Sequence, residues 1–205
     1  MRLNHFPGFN FFALILAILV SSCSGIPPTK GAFAHPLLPR TYHSQIEMSG
    51  RLSAQYETSF RPESISVHFN WVQTPEQTLI TLSSPTGQTV ATLLINARGA
   101  QLREGDKPPQ IASNINQLSL NVLGWPLPAD GLHDWLQGFL DAKHDTPITQ
   151  AMANNMFTVD GWLLRFSSWQ TEQHIERPKR LDLSHQTDQA GLVSIRIVVD
   201  EWVLP

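Results

Sequence analysis

The sequence predicts a mainly β fold of the α+β kind: one curved antiparallel sheet or barrel with short helices plugging its concave apolar face. Three observations predict it. Apolar residues alternate with polar ones over many short segments, Pro, Gly and Asn turns separate those segments, and two stretches in the middle switch to helical spacing. Strand side chains point to opposite faces in turn, so a period of two gives each segment one apolar and one polar face. Many such strands with turns between them indicate an antiparallel sheet.

The elements follow in chain order. Ile46, Met48, Leu52, Ala54 and Tyr56 alternate with Glu47, Ser49, Arg51, Ser53 and Gln55. Ile65, Val67, Phe69 and Trp71 alternate with Ser66, His68 and Asn70, and the pattern continues through Ile80 and Leu82, then Leu93 and Ile95. Between these last two segments Ser84, Pro85, Thr86 and Gly87 predict a tight exposed turn with Thr86 at its tip. Ile111, Ile115, Leu118 and Val122 have helical spacing, and Gly124 is a natural stop. Asp130 reads as the N-cap of a second helix carrying Leu132, Trp135, Leu136 and Phe139 on one face. Strands then resume at Trp162, Leu164 and Phe166, at Leu181 and Leu183, and at Val193, Ile195, Ile197 and Val199.

The N-terminus carries a different signal. Met1 and Arg2 precede the apolar run FFALILAILV from Phe11 to Val20, then Ser21, Ser22 and Cys23, the single cysteine of the chain. Ten apolar residues fall short of the ~20 that a spanning helix needs. A charged start, a short apolar middle and small residues at a cut describe an export signal. Val20-Ser21-Ser22-Cys23 matches a bacterial lipobox, so residues 1–22 are expected to be a lipoprotein signal peptide and Cys23 the lipidated new N-terminus. The thiol would be consumed by the lipid, leaving none for a disulfide. Several acyl chains on one residue would hold the protein in its membrane, where a single chain would not. Ser24 in place of Asp favours the outer membrane.

Residues 23–40 hold Pro27, Pro28, Pro36 and Pro39 and read as a lipidated, extended tether, leaving 41–205 as one domain. Net charge is −3, and loss of Arg2 with the signal makes it −4, so no basic nucleic-acid surface is expected. Phe69, Trp71, Trp135, Phe139, Trp162 and Phe166 form the apolar aromatic set. They predict either a solid core or a cavity for acyl chains, and the sequence leaves both open.

No catalytic residue, metal site or cofactor is expected. The chain contains no H-E-x-x-H, G-x-S-x-G or nucleotide-binding glycine loop. His133-Asp134 sits on a helix where neighbours point apart. His144-Asp145 lies in a polar loop, and His174 and His185 have no ligand set around them.

Six segments in order resemble the LolB family of outer-membrane lipoprotein receptors: GRLSAQY from Gly50, HFNWVQTPEQ from His68, LSSPTGQT from Leu82, LGWPLPADGLHDWLQGF from Leu123, RPKRLDLSH from Arg177 and the terminal DEWVLP. The resemblance implies an unclosed antiparallel β-barrel capped by helices. It implies a receptor, lipid-anchored in the outer membrane and facing the periplasm. Such a receptor takes lipoproteins from a soluble LolA-like periplasmic carrier and inserts them into the inner leaflet. The cargo's acyl chains would lie in a cavity of Ile65, Val67, Phe69, Trp71, Ile80, Leu82, Trp135, Phe139, Trp162 and Leu164. Trp71, Trp135 and Trp202, with Trp162, occupy aromatic positions of the family pattern. Pro85, Thr86 and Gly87 would form the membrane-facing loop, and the protein is expected to be a monomer. Two departures stand out. The family often has a large apolar residue where this chain has Thr86, and no N-terminal cap helix is evident before Gly50. The alternative is a structural or scaffold lipoprotein with a solid core.

Overall fold

The computed structural model describes residues 38–58, 61–140, 147–152 and 155–203. Cys23, the signal segment, the Pro-rich tether and His144-Asp145 lie outside them. Residues 37–205 form one compact unit. Its core is built from residues between Ile46 and Val199, so the unit carries a core of its own.

Among the described residues, ten strands make one antiparallel sheet. They are β1 (Ile46–Glu57), β2 (Pro62–Gln73), β3 (Gln77–Ser83), β4 (Thr89–Asn96), β5 (Gly99–Arg103), β6 (Gln110–Ala112), β7 (Met156–Val159), β8 (Trp162–Glu172), β9 (Ile175–Thr187) and β10 (Gly191–Val203). Their order is β6-β5-β4-β3-β2-β1-β10-β9-β8-β7. The two edges, β6 and β7, do not pair with each other, so the barrel is unclosed. Both edge strands are short, which limits the row of unpaired backbone groups that could recruit another chain.

Strand direction alternates along this order, which sorts the turns onto two ends. The β1–β2, β3–β4, β5–β6, β7–β8 and β9–β10 turns share the upper end. The β2–β3, β4–β5 and β8–β9 turns share the lower end. Leu38 enters at the lower end, bridging Ile175 beside the β8–β9 turn.

At Gly50 the β1 register shifts against β10. A Cβ on that residue would lie 2.0 Å from the Val198 carbonyl oxygen and 3.0 Å from the Phe69 ring. Glycine lets the bulged strand approach β10 this closely while Phe69 lies over it.

Two helices lie on the apolar side, α1 (Ile115–Leu123) and α2 (Ala129–Leu136). Asn114 caps α1, its side chain accepting from the Gln117 amide at 2.8 Å. Gly124 ends α1 in the left-handed region at φ 81°. Ile111 does not join this helix. It sits on β6 and is 70% exposed, because the chain pairs with β5 before it turns. Asp130 does not cap α2. The helix starts at Ala129 behind Pro128, which puts Asp130 in the first turn, where its charge still suits the helix N-terminus. Phe139 lies beyond the end of α2 and bridges to Pro147, so it is not on the helix face. Among the described residues no helix precedes β1, and none is long and apolar enough to cross a membrane.

The outer face is polar. Asp182 accepts from Arg180 and Arg196, each at 3.0 Å, and from the Ser167 hydroxyl. Burial alone would raise its pKa, but these donors outweigh burial and hold the carboxyl below its ordinary value.

Candidate functional site: an apolar cavity open at the upper end

The register of β2 to β5 puts inward residues in rows. Trp71 faces Ile80, Ile80 faces Leu93, and Leu93 faces Leu102. One level higher Phe69 faces Leu82, which faces Ala91. Above these, Val67 faces Leu52, which in turn faces Ile197 of β10. Opposite the rows stand Ile115, Leu118, Val122 and Leu123 of α1, Leu127 of the link, and Leu132 and Leu136 of α2. The two surfaces do not interdigitate fully. They leave a cavity of about 290 Å³, near the lower end of the ~300–1,000 Å³ typical of small-molecule pockets. It reaches solvent at the upper end, where Val90 and Glu104 also border a shallow surface depression with Thr89, Gly105, Asp106 and Lys107.

Of the ten residues the sequence assigns to this cavity, six line it: Ile65, Val67, Phe69, Trp71, Ile80 and Leu82. The other four do not. Trp135, Phe139, Trp162 and Leu164 are buried elsewhere, each at most 3% exposed. The reason is position around the sheet. Trp162 and Leu164 stand on β8, in the half of the barrel filled by aromatic rings. There Tyr56 meets Trp125 at 5.8 Å between ring centroids, and Trp125 meets Trp162 at 6.3 Å. Trp135 packs under Gly131 and Phe139 against Tyr42, whose ring centroid is 5.9 Å away. Sequence reading missed the helical residues Leu118, Val122 and Leu123 as lining, and also Leu102 and Glu104. Alternation marks the inward face of a strand, but no sequence signal says where facing surfaces fail to meet.

Polar bonds fix the plug around this space. The Ser119 hydroxyl donates to the Asn116 carbonyl and accepts from the Leu127 amide at 2.8 Å, holding the link between the helices. Below, Trp71 Nε1 donates to Gln73, whose amide donates to the Tyr42 hydroxyl. His43 and Gln137 exchange hydrogen bonds of 2.9 and 3.0 Å. The Arg40 guanidinium donates to the carbonyls of Glu176, Gly138 and Ile148 and lies over the Phe139 and Trp169 rings. Burial pulls its pKa down to about 10, with Glu176 opposing the shift. The lower end of the plug is thus tied to the sheet, while the upper end meets it through apolar side chains.

The model of the family described as outer membrane lipoprotein LolB matches residues 44–202. The chain belongs to the LolB family. Among relatives named outer-membrane lipoprotein LolB, the LolB of Cupriavidus necator is 29% identical over 191 residues, covering 92% of this chain and 93% of the relative. The LolB of Cupriavidus pinatubonensis is 28% identical over 195 residues, covering 92% and 91%. That of Yersinia pestis is 22% identical over 213 residues, covering 100% and 99%. A LolA superfamily protein from Nitrosomonas europaea aligns structurally with a TM-score of 0.43 and 6% identity, covering 80% of this chain and 88% of that one.

The residues of the LolB resemblance are spread over the domain. Trp71 lines the cavity, Trp135 is core, and Trp202 is half-buried under the Arg177 guanidinium, 5.9 Å from its ring centre. Pro85-Thr86-Gly87 forms an exposed upper turn between β3 and β4. The Gly87 amide donates to the Ser84 carbonyl at 2.9 Å, and the Ser84 and Thr86 hydroxyls are 2.8 Å apart. Among the described residues no group of three or more His, Cys, Asp or Glu could hold a metal.

Proposed function

We propose that this chain is a lipoprotein receptor of the outer membrane. Lipid on Cys23 anchors it facing the periplasm. It accepts lipoproteins from a LolA-like soluble carrier, holds their acyl chains in the cavity between β2–β5 and the helices, and releases them into the bilayer. The observation that carries this reading is the cavity itself: about 290 Å³ lined almost wholly by apolar side chains, opening beside the β3–β4 turn. Each acyl methylene moved from water into such a space gains about 0.8 kcal/mol. No bond is made or broken, so the role asks for no catalytic group.

The unfilled volume supports this reading over a scaffold with a solid core, since packed interiors leave few voids larger than a water molecule. The test is uptake of a fluorescent fatty-acid analogue by residues 37–205. Saturable uptake, competed by unlabelled fatty acid, is expected. No uptake at any concentration would favour the scaffold.

A further inference from the structure

Among the described residues, Glu104 is the one ionisable side chain lining the cavity. It stands at the mouth, at the upper end of β5, and its side chain is 32% exposed. Its carboxylate accepts from the Gln110 amide at 3.3 Å and lies 3.5 Å from the Lys107 ammonium. Lys107 is 71% exposed and borders the outer depression rather than the cavity, as does Asp106. The charged residue that borders both the cavity and the outer depression is therefore an acid, and its cation stands on the solvent side. A carboxylate costs free energy beside an apolar cavity.

We propose that Glu104 makes the mouth selective by charge. It admits amphiphiles that are uncharged where head meets acyl chains, and it rejects those carrying a phosphate anion at that point. The proposal deepens the acyl-chain reading and rests on it. With acyl chains inside the cavity, the first polar groups of the ligand come to lie at Val90 and Glu104. In a diacylglyceryl thioether those groups are esters and a sulfur, none of them ionised. In a membrane phospholipid the same glycerol bears an ionised phosphate. Two like charges at this range repel, and the repulsion grows beside a low-dielectric wall. A receptor whose mouth faces a bilayer meets phospholipid in excess, and a fixed carboxylate keeps the cavity free for uncharged cargo.

The test compares two probes with the same chains, dioctanoylglycerol and dioctanoyl phosphatidate, titrated into residues 37–205 at neutral pH and followed by tryptophan fluorescence, since Trp71 lines the cavity. Wild type is expected to prefer the uncharged probe by at least about threefold beyond its preference in Glu104→Gln. Added salt should narrow that gap in wild type and leave the Glu104→Gln ratio flat. Lys107→Gln, which removes the outer cation, should widen it. An identical affinity ratio in wild type, Glu104→Gln and Lys107→Gln overturns the filter while leaving the cavity reading standing. Binding of neither probe to wild type overturns both.

Discussion

Leu38 and Ile175 form a short parallel bridge, with the Leu38 amide donating to the His174 carbonyl at 2.7 Å. The bridge fixes the point where the N-terminal segment joins the domain, at the lower end of the sheet. Thr86 lies at the other end. A strand of twelve residues such as β1, tilted as barrel strands are, spans roughly 30 Å along the barrel. For the upper turn to reach a bilayer that held a lipidated Cys23, as proposed above, the intervening chain would have to cover that length.

Fourteen residues, 24–37, separate Cys23 from Leu38, and an extended chain of that length reaches roughly 43 Å. Deleting seven of them leaves a reach of roughly 22 Å, shorter than the barrel. Such a deletion is expected to slow delivery of cargo to liposomes without changing uptake from solution. Unaltered delivery by the shortened chain would mean that the upper end does not face the bilayer.

Val67 is buried in the cavity wall, while Ser66 beside it faces out. Val67→Glu puts a charge against acyl chains and is expected to weaken lipoprotein binding at least about tenfold. Ser66→Glu should leave binding intact. Circular dichroism checks that both fold, and equal binding by two folded variants would refute the assignment of faces.

Much of this architecture was legible in the sequence, and the gaps have physical reasons. Alternation over Ile65–Trp71 identified β2 and its inward face, because parity is a local property. The same parity misled at Trp162 and Leu164, which also point inward but into the filled half of the barrel. Ile111 had helical spacing to Ile115, yet the helix begins at the Asn114 cap. The spacing Asn114-x-x-Gln117 was the better start signal, since a cap side chain reaches the amide three residues on. Glu104 gave no signal at all, because a charged residue in a turn reads as plain surface.

Thr86 sits on an exposed turn and is too polar to enter acyl chains well. If this turn probes the bilayer, Thr86→Leu should speed delivery to liposomes, by some fraction of the roughly 1.5–3 kcal/mol that full burial of a leucine yields. Thr86→Glu should slow delivery and spare uptake. Equal delivery rates in all three proteins would mean that this turn does not touch the bilayer, leaving the proposed lipid on Cys23 as the contact.

Asp182 links pH to stability. Its folded pKa lies below the ordinary carboxyl value of 3.8, because bonds from Ser167, Arg180 and Arg196 outweigh burial. Its contribution is therefore present above that value and lost as pH falls through the lower folded one. Asp182→Asn should lower Tm at neutral pH by no more than about 3 °C, since Arg180 and Arg196 keep much of their solvent and screen the pair. It should also flatten the decline of Tm below about pH 4. A decline as steep in the variant as in wild type would assign acid lability to other carboxylates.

Directional transfer tests the receptor account most directly. A carrier loaded with labelled lipoprotein is mixed with residues 37–205 in the absence of nucleotide, and the label on each protein is measured once it stops moving. Net passage to the receptor domain is expected, since a tenfold preference for its cavity needs only about 1.4 kcal/mol. Val67→Glu should receive far less. Cargo that stays on the carrier, or that moves only when ATP is added, would contradict it.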